Sequence, residues 1–210
     1  MLIIGAKGFA KEILEILHQK GETQDLCFYD DVSTDISQQI YQQFSVLKTI
    51  PEAQNHFEAT NRKFTLGLGN PKLRYQLYQK FIEIDGDFSS TISSYAEIGS
   101  FGVHISEGCN ILSGVKISND VSIGKGTMVY YNSIITHDVT IGSFCEISPD
   151  VKLLGRCTIG NFVQIGAGAI IFPDVVISDH VIIAAGSVVR NNVRSRVMVA
   201  GIPAEIKKEL

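Results

Sequence analysis

The stretch VTIGSFCEISPDVKLLGRCTIGNFVQI, residues 139–165, decides the fold. Ile141, Ile147, Leu153, Ile159 and Ile165 recur in it at every sixth position. The spacing continues outward without a miss, through Ile105, Ile111, Ile117, Ile123, Val129 and Ile135 on one side and Ile171, Ile177, Ile183 and Val189 on the other. A period of six is neither the roughly 3.6 of a helix nor the two of a single strand. It predicts a solenoid in which each hexad supplies one short strand and one turn. Two residues before each anchor stands a second, mostly small or β-branched residue, as at Val139, Cys145, Val151, Cys157 and Val163. Side chains alternate across a strand, so both members of each pair point inward, a role that suits β-branched residues. Ile92 and Ile98 carry the register backwards, with one inserted residue before Ile105.

Composition sets the class. The chain has 210 residues, 45% of them hydrophobic and 19% charged, which is enough apolar content to bury a core. A net charge of −4 and the absence of a dense Lys/Arg stripe argue against nucleic acid as a partner. The opening run Met-Leu-Ile-Ile-Gly is too short for a signal peptide, and no apolar stretch approaches a spanning length, so a cytoplasmic protein is expected. Of the cysteines at 27, 109, 145 and 157, the last three occupy the inward slot and read as small buried hydrophobes.

Residues 1–85 lack the period and read as a Rossmann-like α/β domain with a small parallel sheet. Leu2–Ile4, Leu26–Tyr29 and Phe64–Leu68 are predicted strands. Phe9–Gln19 and Lys72–Ile82 are predicted helices, the second carrying Leu73, Leu77, Tyr78 and Phe81 on one face. Residues 86–200 then form the coils, and 201–210 a turn followed by a short capping helix.

A strand, a glycine turn (Gly5-Ala-Lys-Gly8) and a helix N-terminus make a natural anion site, because unpaired N–H groups and the helix dipole face outward. The G-x-G-x-x-G spacing of dinucleotide folds is absent, and Gly5 also serves simply to make the turn. Asp30 and Asp31, ending the second strand, can accept hydrogen bonds from a ribose or base, which favours a nucleotide-linked small molecule over a hydride cofactor.

Five segments occur in order: IIGAKGFAKE (3–12), FYDD (28–31), GLGNPKLR (67–74), the hexads, and GIPA (201–204). In these the chain resembles the hexapeptide-repeat sugar acyltransferases grouped with sialic-acid O-acetyltransferases and bacterial UDP-4-amino-sugar N-acetyltransferases. The resemblance implies a left-handed parallel β-helix with three hexads per triangular coil, an exception to right-handed crossovers. It implies a homotrimer with acetyl-CoA between adjacent β-helices, and a nucleotide sugar held by the N-terminal domain through Gly8, Asp30, Asp31 and Asn70. No metal is expected.

His137 lies two residues after anchor Ile135, in a polar turn, beside Asp138. Taken alone, this is an ordinary solvated pair. The resemblance makes His137 the expected general base and Asp138 the residue that orients it. A histidine of ordinary pKa, about 6.5, can accept the proton an amine or hydroxyl must lose. Gly155, eighteen residues on and so one coil above, is the implied backbone donor to the oxyanion. Ala167 and Ala185 are placed beside the pantetheine, although ordinary coil packing explains the same small residues. Two positions depart from the family pattern: Glu146 stands where many relatives have a cofactor-contacting histidine, and Tyr130 where an asparagine is usual, with Asn132 nearby.

The expected activity is acetyl transfer from acetyl-CoA to the amino group of a UDP-linked amino sugar in surface-glycan synthesis. O-acetylation of sialic acid is the alternative, and a non-catalytic β-helix scaffold the alternative of another class. A zinc-dependent version would need His104, His137 and His180 to converge, and their spacing shows no shared column.

Overall fold

The computed structural model describes residues 1–210 and divides into two compact units, Met1–Thr91 and Ile92–Leu210. In the first, β1 (Leu2–Ile4), α1 (Gly8–Gln19), β2 (Cys27–Tyr29), β3 (Gln39–Ile40), β4 (Phe44–Leu47), α2 (Ile50–Ala59), β5 (Lys63–Leu66), α3 (Pro71–Ile82) and β6 (Asp87–Phe88) follow in order. The sheet order is β3-β4-β2-β1-β5-β6, parallel apart from the β3–β4 hairpin. The order reverses between β1 and β5, where open α/β sheets bind ligands at their strand C-termini.

α1 buries Ile13, Leu14, Ile16 and Leu17, as its pattern predicts. α2 escaped the sequence reading, since only Ala53 and Phe57 are buried along it. Its local signal was nonetheless present: Thr49 and Glu52 form a reciprocal capping box, with Pro51 in the first turn. α3 departs from its expected face, because Phe81 is buried but Leu73 is 45% exposed, while Arg74 is wholly buried. β6 pairs Asp87 and Phe88 with Lys63 and Phe64, so the first unit extends past residue 85.

The second unit is a parallel β-helix. Strands three hexads apart stack in register and make three faces. The first holds Asn110–Ile111, Met128–Val129, Glu146–Ile147, Gln164–Ile165 and Ile182–Ile183. The second holds Lys116–Ile117, Ile134–Ile135, Lys152–Leu153, Ile170–Ile171 and Val188–Val189. The third holds Ser122–Ile123, Thr140–Ile141, Thr158–Ile159 and Val176–Ile177. Both inward columns form one continuous core. The polar residues among them bond across coils: Thr127 Oγ1 donates to the Gly142 carbonyl at 2.8 Å and Ser133 Oγ to that of Ser148 at 3.0 Å. The inward cysteines are buried, and burial pushes the Cys157 thiol up to about 12, so it is inert.

Each turn contains one left-handed residue, three positions after the anchor. The slot is filled by Gly108, Gly114, Asp120, Gly126, Asn132, Asp138, Phe144, Asp150, Arg156, Phe162, Gly168, Asp174, His180 and Gly186, all at positive φ. Glycine, asparagine and aspartate tolerate this conformation best, which explains most of the set. Phe144, Phe162 and His180 hold it as one stacked column, with ring centroids 5.7 and 5.1 Å apart.

The C-terminus corrects the expected capping helix. Val197–Gly201 joins the first face beside Ile182–Ile183, and Ala204–Glu209 folds back on it antiparallel. A six-residue tail forms few helical hydrogen bonds, whereas the open edge of a sheet offers a whole ladder.

Candidate active site

The turn between the second and third faces carries His137 and Asp138, both exposed. Asp138 takes the left-handed slot at φ 60, and from there its carboxylate reaches the ring of the preceding residue. His137 Nδ1 lies 2.6 Å from Asp138 Oδ2. Against an ionised carboxylate, which can only accept, a neutral imidazole carries its proton on Nδ1 and keeps a lone pair on Nε2.

Gly155 stacks directly above. A Cβ built there would stand 2.7 Å from His137 Cε1 and 2.9 Å from Nε2, so glycine is what leaves the imidazole its space. The Arg156 N–H donates to the His137 carbonyl at 3.1 Å and ties the two coils together. Beside the pair runs an open groove of about 540 Å³, lined by Ile98, Ile117, Ile134, Thr136 and His137, with the Lys116–Glu97 ion pair along it. Gly155→Ala is expected to displace the ring and lower kcat by about tenfold or more while leaving the melting temperature nearly unchanged. An alanine enzyme with wild-type kcat would show that the ring does not need this contact.

The other expected cofactor residues lie elsewhere in the chain. Ala167 and Ala185 are exposed and stacked on the turns between the first and second faces, joined by the Gly186 N–H to Ala167 carbonyl bond at 2.8 Å. Glu146 is half-buried on the first face, where Gln164 Nε2 donates to its Oε2 at 3.0 Å. Tyr130 is half-buried next to Tyr131. The chain therefore brings together His137, Asp138 and Gly155, but not Glu146, Ala167 or Ala185. No group of three His, Cys, Asp or Glu is arranged to hold a metal.

In the first unit a cavity of about 320 Å³ opens at the C-terminal ends of β1, β2 and β5. It is lined by the glycine turn Gly5–Lys7, by Tyr29–Ser33 and by Gly67, with Leu73 and Leu77 supplying an apolar wall. The exposed face of α3 thus serves the cavity instead of the core. Gly5, at φ 103, allows the turn to pass Gly67, where a Cβ would stand 2.8 Å from the Gly67 carbonyl oxygen. Asp30 Oδ1 accepts the Val32 and Ser33 N–H groups at 3.2 and 2.8 Å, which shapes the loop. Asp31 Oδ2 receives Lys80 Nζ at 2.8 Å and the Tyr29 hydroxyl at 2.9 Å. Partial burial works against its charge, but these two donors prevail and hold the carboxyl below its ordinary range. Lys80 lies 49 residues from Asp31, and sequence reasoning missed it for lack of any local signal. Gly8 and Asn70 stand outside the cavity lining. Gly8 opens α1, and Asn70 caps α3 by accepting the Leu73 N–H at 3.0 Å.

Residues 1–81 match the PglD N-terminal domain, and residues 138–173 and 156–191 match the bacterial transferase hexapeptide (six repeats). Comparison with curated proteins returns no match. Among solved structures, perosamine N-acetyltransferase from Caulobacter crescentus, determined with CoA and GDP-perosamine in histidine-to-asparagine and histidine-to-alanine variants, is 26% identical. The alignment covers 99% of this chain and 96% of that one at a TM-score of 0.91. The acetyltransferase domain of PglB from Neisseria gonorrhoeae is 24% identical over 98% of both chains, with a TM-score of 0.89. An α/β domain of PglD type, followed by a left-handed β-helix of transferase hexapeptides, is the architecture of the bacterial hexapeptide-repeat sugar acyltransferases, to which the chain is similar over nearly its whole length.

Proposed function

We propose that the protein transfers acetyl from acetyl-CoA to the amino group of a nucleotide-linked amino sugar, with His137 as general base. The observation that carries this reading is the 2.6 Å contact between His137 Nδ1 and Asp138 Oδ2, which leaves Nε2 free to accept a proton beside an open groove. The amine nitrogen attacks the thioester carbonyl as Nε2 takes its proton, and Asp138 supports the imidazolium that forms. The tetrahedral oxyanion then collapses, the carbon–sulfur bond breaks, and the imidazolium returns the proton to the departing thiolate. The Gly155 N–H is the proposed oxyanion donor.

The cavity of the first unit suits the nucleotide. The glycine turn that leads into α1 lines the cavity, Lys7 stands there ion-paired to Asp35 at 2.9 Å, and Asp30 and Asp31 each keep one oxygen outside their internal hydrogen bonds. Perosamine N-acetyltransferase, crystallised with CoA and GDP-perosamine, supports the same two-substrate arrangement. The assembly in this reading is the homotrimer that the resemblance implies, and the dispersal of the remaining site residues supports a site shared between subunits. Ala167, Ala185 and Glu146 of one subunit meet the His137 turn of another only if β-helices pack side by side, with acetyl-CoA between them. Polysaccharide assembly and a cytoplasmic location belong to the same reading.

The test is thiol release from acetyl-CoA with a panel of UDP- and GDP-4-amino sugars, with free sialic acid as the hydroxyl-acceptor arm. Turnover and a product heavier by one acetyl group are expected with an amino sugar. Turnover with sialic acid alone would make the enzyme an O-acetyltransferase. Absence of any CoA binding by calorimetry would leave only the scaffold.

A further inference from the structure

Above and below Asp138 the left-handed slot repeats every eighteen residues, so Gly102, Asp120, Asp138, Arg156 and Asp174 form one column, with φ between 58 and 64. The backbone keeps the upper coils in step: Arg156 N–H bonds to the His137 carbonyl and Asp174 N–H to that of Gly155, both at 3.1 Å. Arg156 is thus the column's single cation, with a carboxylate one coil below it and another one coil above. It does not divide itself evenly. Its Nε donates to Asp174 Oδ1 at 2.7 Å and its second terminal nitrogen to Asp174 Oδ2 at 2.9 Å, a fork that matches the carboxylate. Asp138 contributes only its charge to Arg156, without a hydrogen bond, and keeps its own bond to His137.

We propose that Asp174 is a positioning residue: by holding Arg156 in a bidentate pair one coil up, it leaves the Asp138 carboxylate to the imidazole of His137. Its importance to turnover rests on the reading of His137 as base, but the positioning itself does not. An unpaired guanidinium at this point has one other carboxylate in reach. Once paired with it, Asp138 either leaves the ring or stays with its charge neutralised, and both outcomes weaken the support for the imidazolium. Around this turn stand also Asp120 in the coil below, the Glu97–Lys116 pair along the groove and Lys152, in register above Ile134 with its Nζ on the Asp150 carbonyl at 3.3 Å. None of them is bonded to Asp174 in the wild-type chain.

The test is a four-member series: wild type, Asp174→Asn, Arg156→Gln and the double variant. The His137 imidazole is followed by NMR titration, its signal assigned by its loss in His137→Ala. In Asp174→Asn the midpoint is expected to fall by roughly half a pH unit, the scale of an exposed charge pair. With acetyl-CoA and an amino-sugar acceptor, kcat should fall roughly threefold, with KM for acetyl-CoA unchanged. The decisive member is the double variant, which removes the stray cation and should return the midpoint to that of wild type. A merely stabilising Arg156–Asp174 pair predicts the reverse, with the double variant no better than Asp174→Asn. That result, or an unmoved midpoint in Asp174→Asn, overturns the proposal. Should the midpoints behave as expected while His137→Ala keeps full turnover, the base assignment fails and the positioning stands.

Discussion

His137→Ala is expected to lower kcat by about 10²–10⁴-fold, the range for a lost general base, without loss of the fold. The ring is exposed, Gly155 lies above it, and the Arg156 N–H bonds to the His137 backbone carbonyl and not to the ring. Truncation therefore removes proton acceptance and little else, and surface changes of this kind shift stability by about 0.5 kcal/mol or less. Asp138→Asn is the companion, since asparagine keeps the left-handed turn but removes the charge. It should fall between wild type and His137→Ala. Steady-state thiol release and a melting curve check both variants. Full turnover by His137→Ala with its true acceptor would remove the chemical basis of the assigned reaction.

The second large effect concerns the core. Ile147→Ala is expected to cost about 2–5 kcal/mol, because deletion of a buried branched side chain loses both its transfer energy and the contacts around the cavity. Ile147 is fully buried, with Val129 in register below and Ile165 above. The flanking ladder bonds, Glu146 N–H to the Val163 carbonyl at 2.9 Å and Ser148 N–H to that of Ile165 at 3.0 Å, set the coil spacing. The coils cannot close over the gap without breaking them, so the upper part of the range applies. Urea unfolding at matched protein concentration measures the effect, since assembly shifts apparent stability. A loss under about 1 kcal/mol would mean that the coils relax into the space.

How far the sequence could be read follows the range of the interactions. The hexad anchors were legible because one strand and one turn repeat, and each repeat states its own burial. The left-handed slot was also written there, in Asp120, Asn132, Asp138 and Asp150, but Phe144, Arg156, Phe162 and His180 obscured it. Those four are tolerated because stacking or pairing between coils offsets their local strain. α2 was missed where the apolar pattern is thin, although its capping box was visible. The tail was misread as helical because propensity says nothing about an open sheet edge nearby.

The chemistry divides along the same line. His137 and Asp138 are adjacent in the chain, so sequence alone paired them, and a turn residue in the left-handed region supplied the geometry. Sequence alone also determined the solenoid of strand-and-turn hexads, since its period is a local property repeated many times, whereas three hexads per coil came from the family resemblance and the strand register. Only the tertiary structure decided that Asp31 is held by Lys80, that Leu73 faces a cavity and that Arg156 leans toward Asp174 and not Asp138. Each of these choices lies between partners far apart along the chain, and it is settled by which side chains the packed backbone brings within bonding distance.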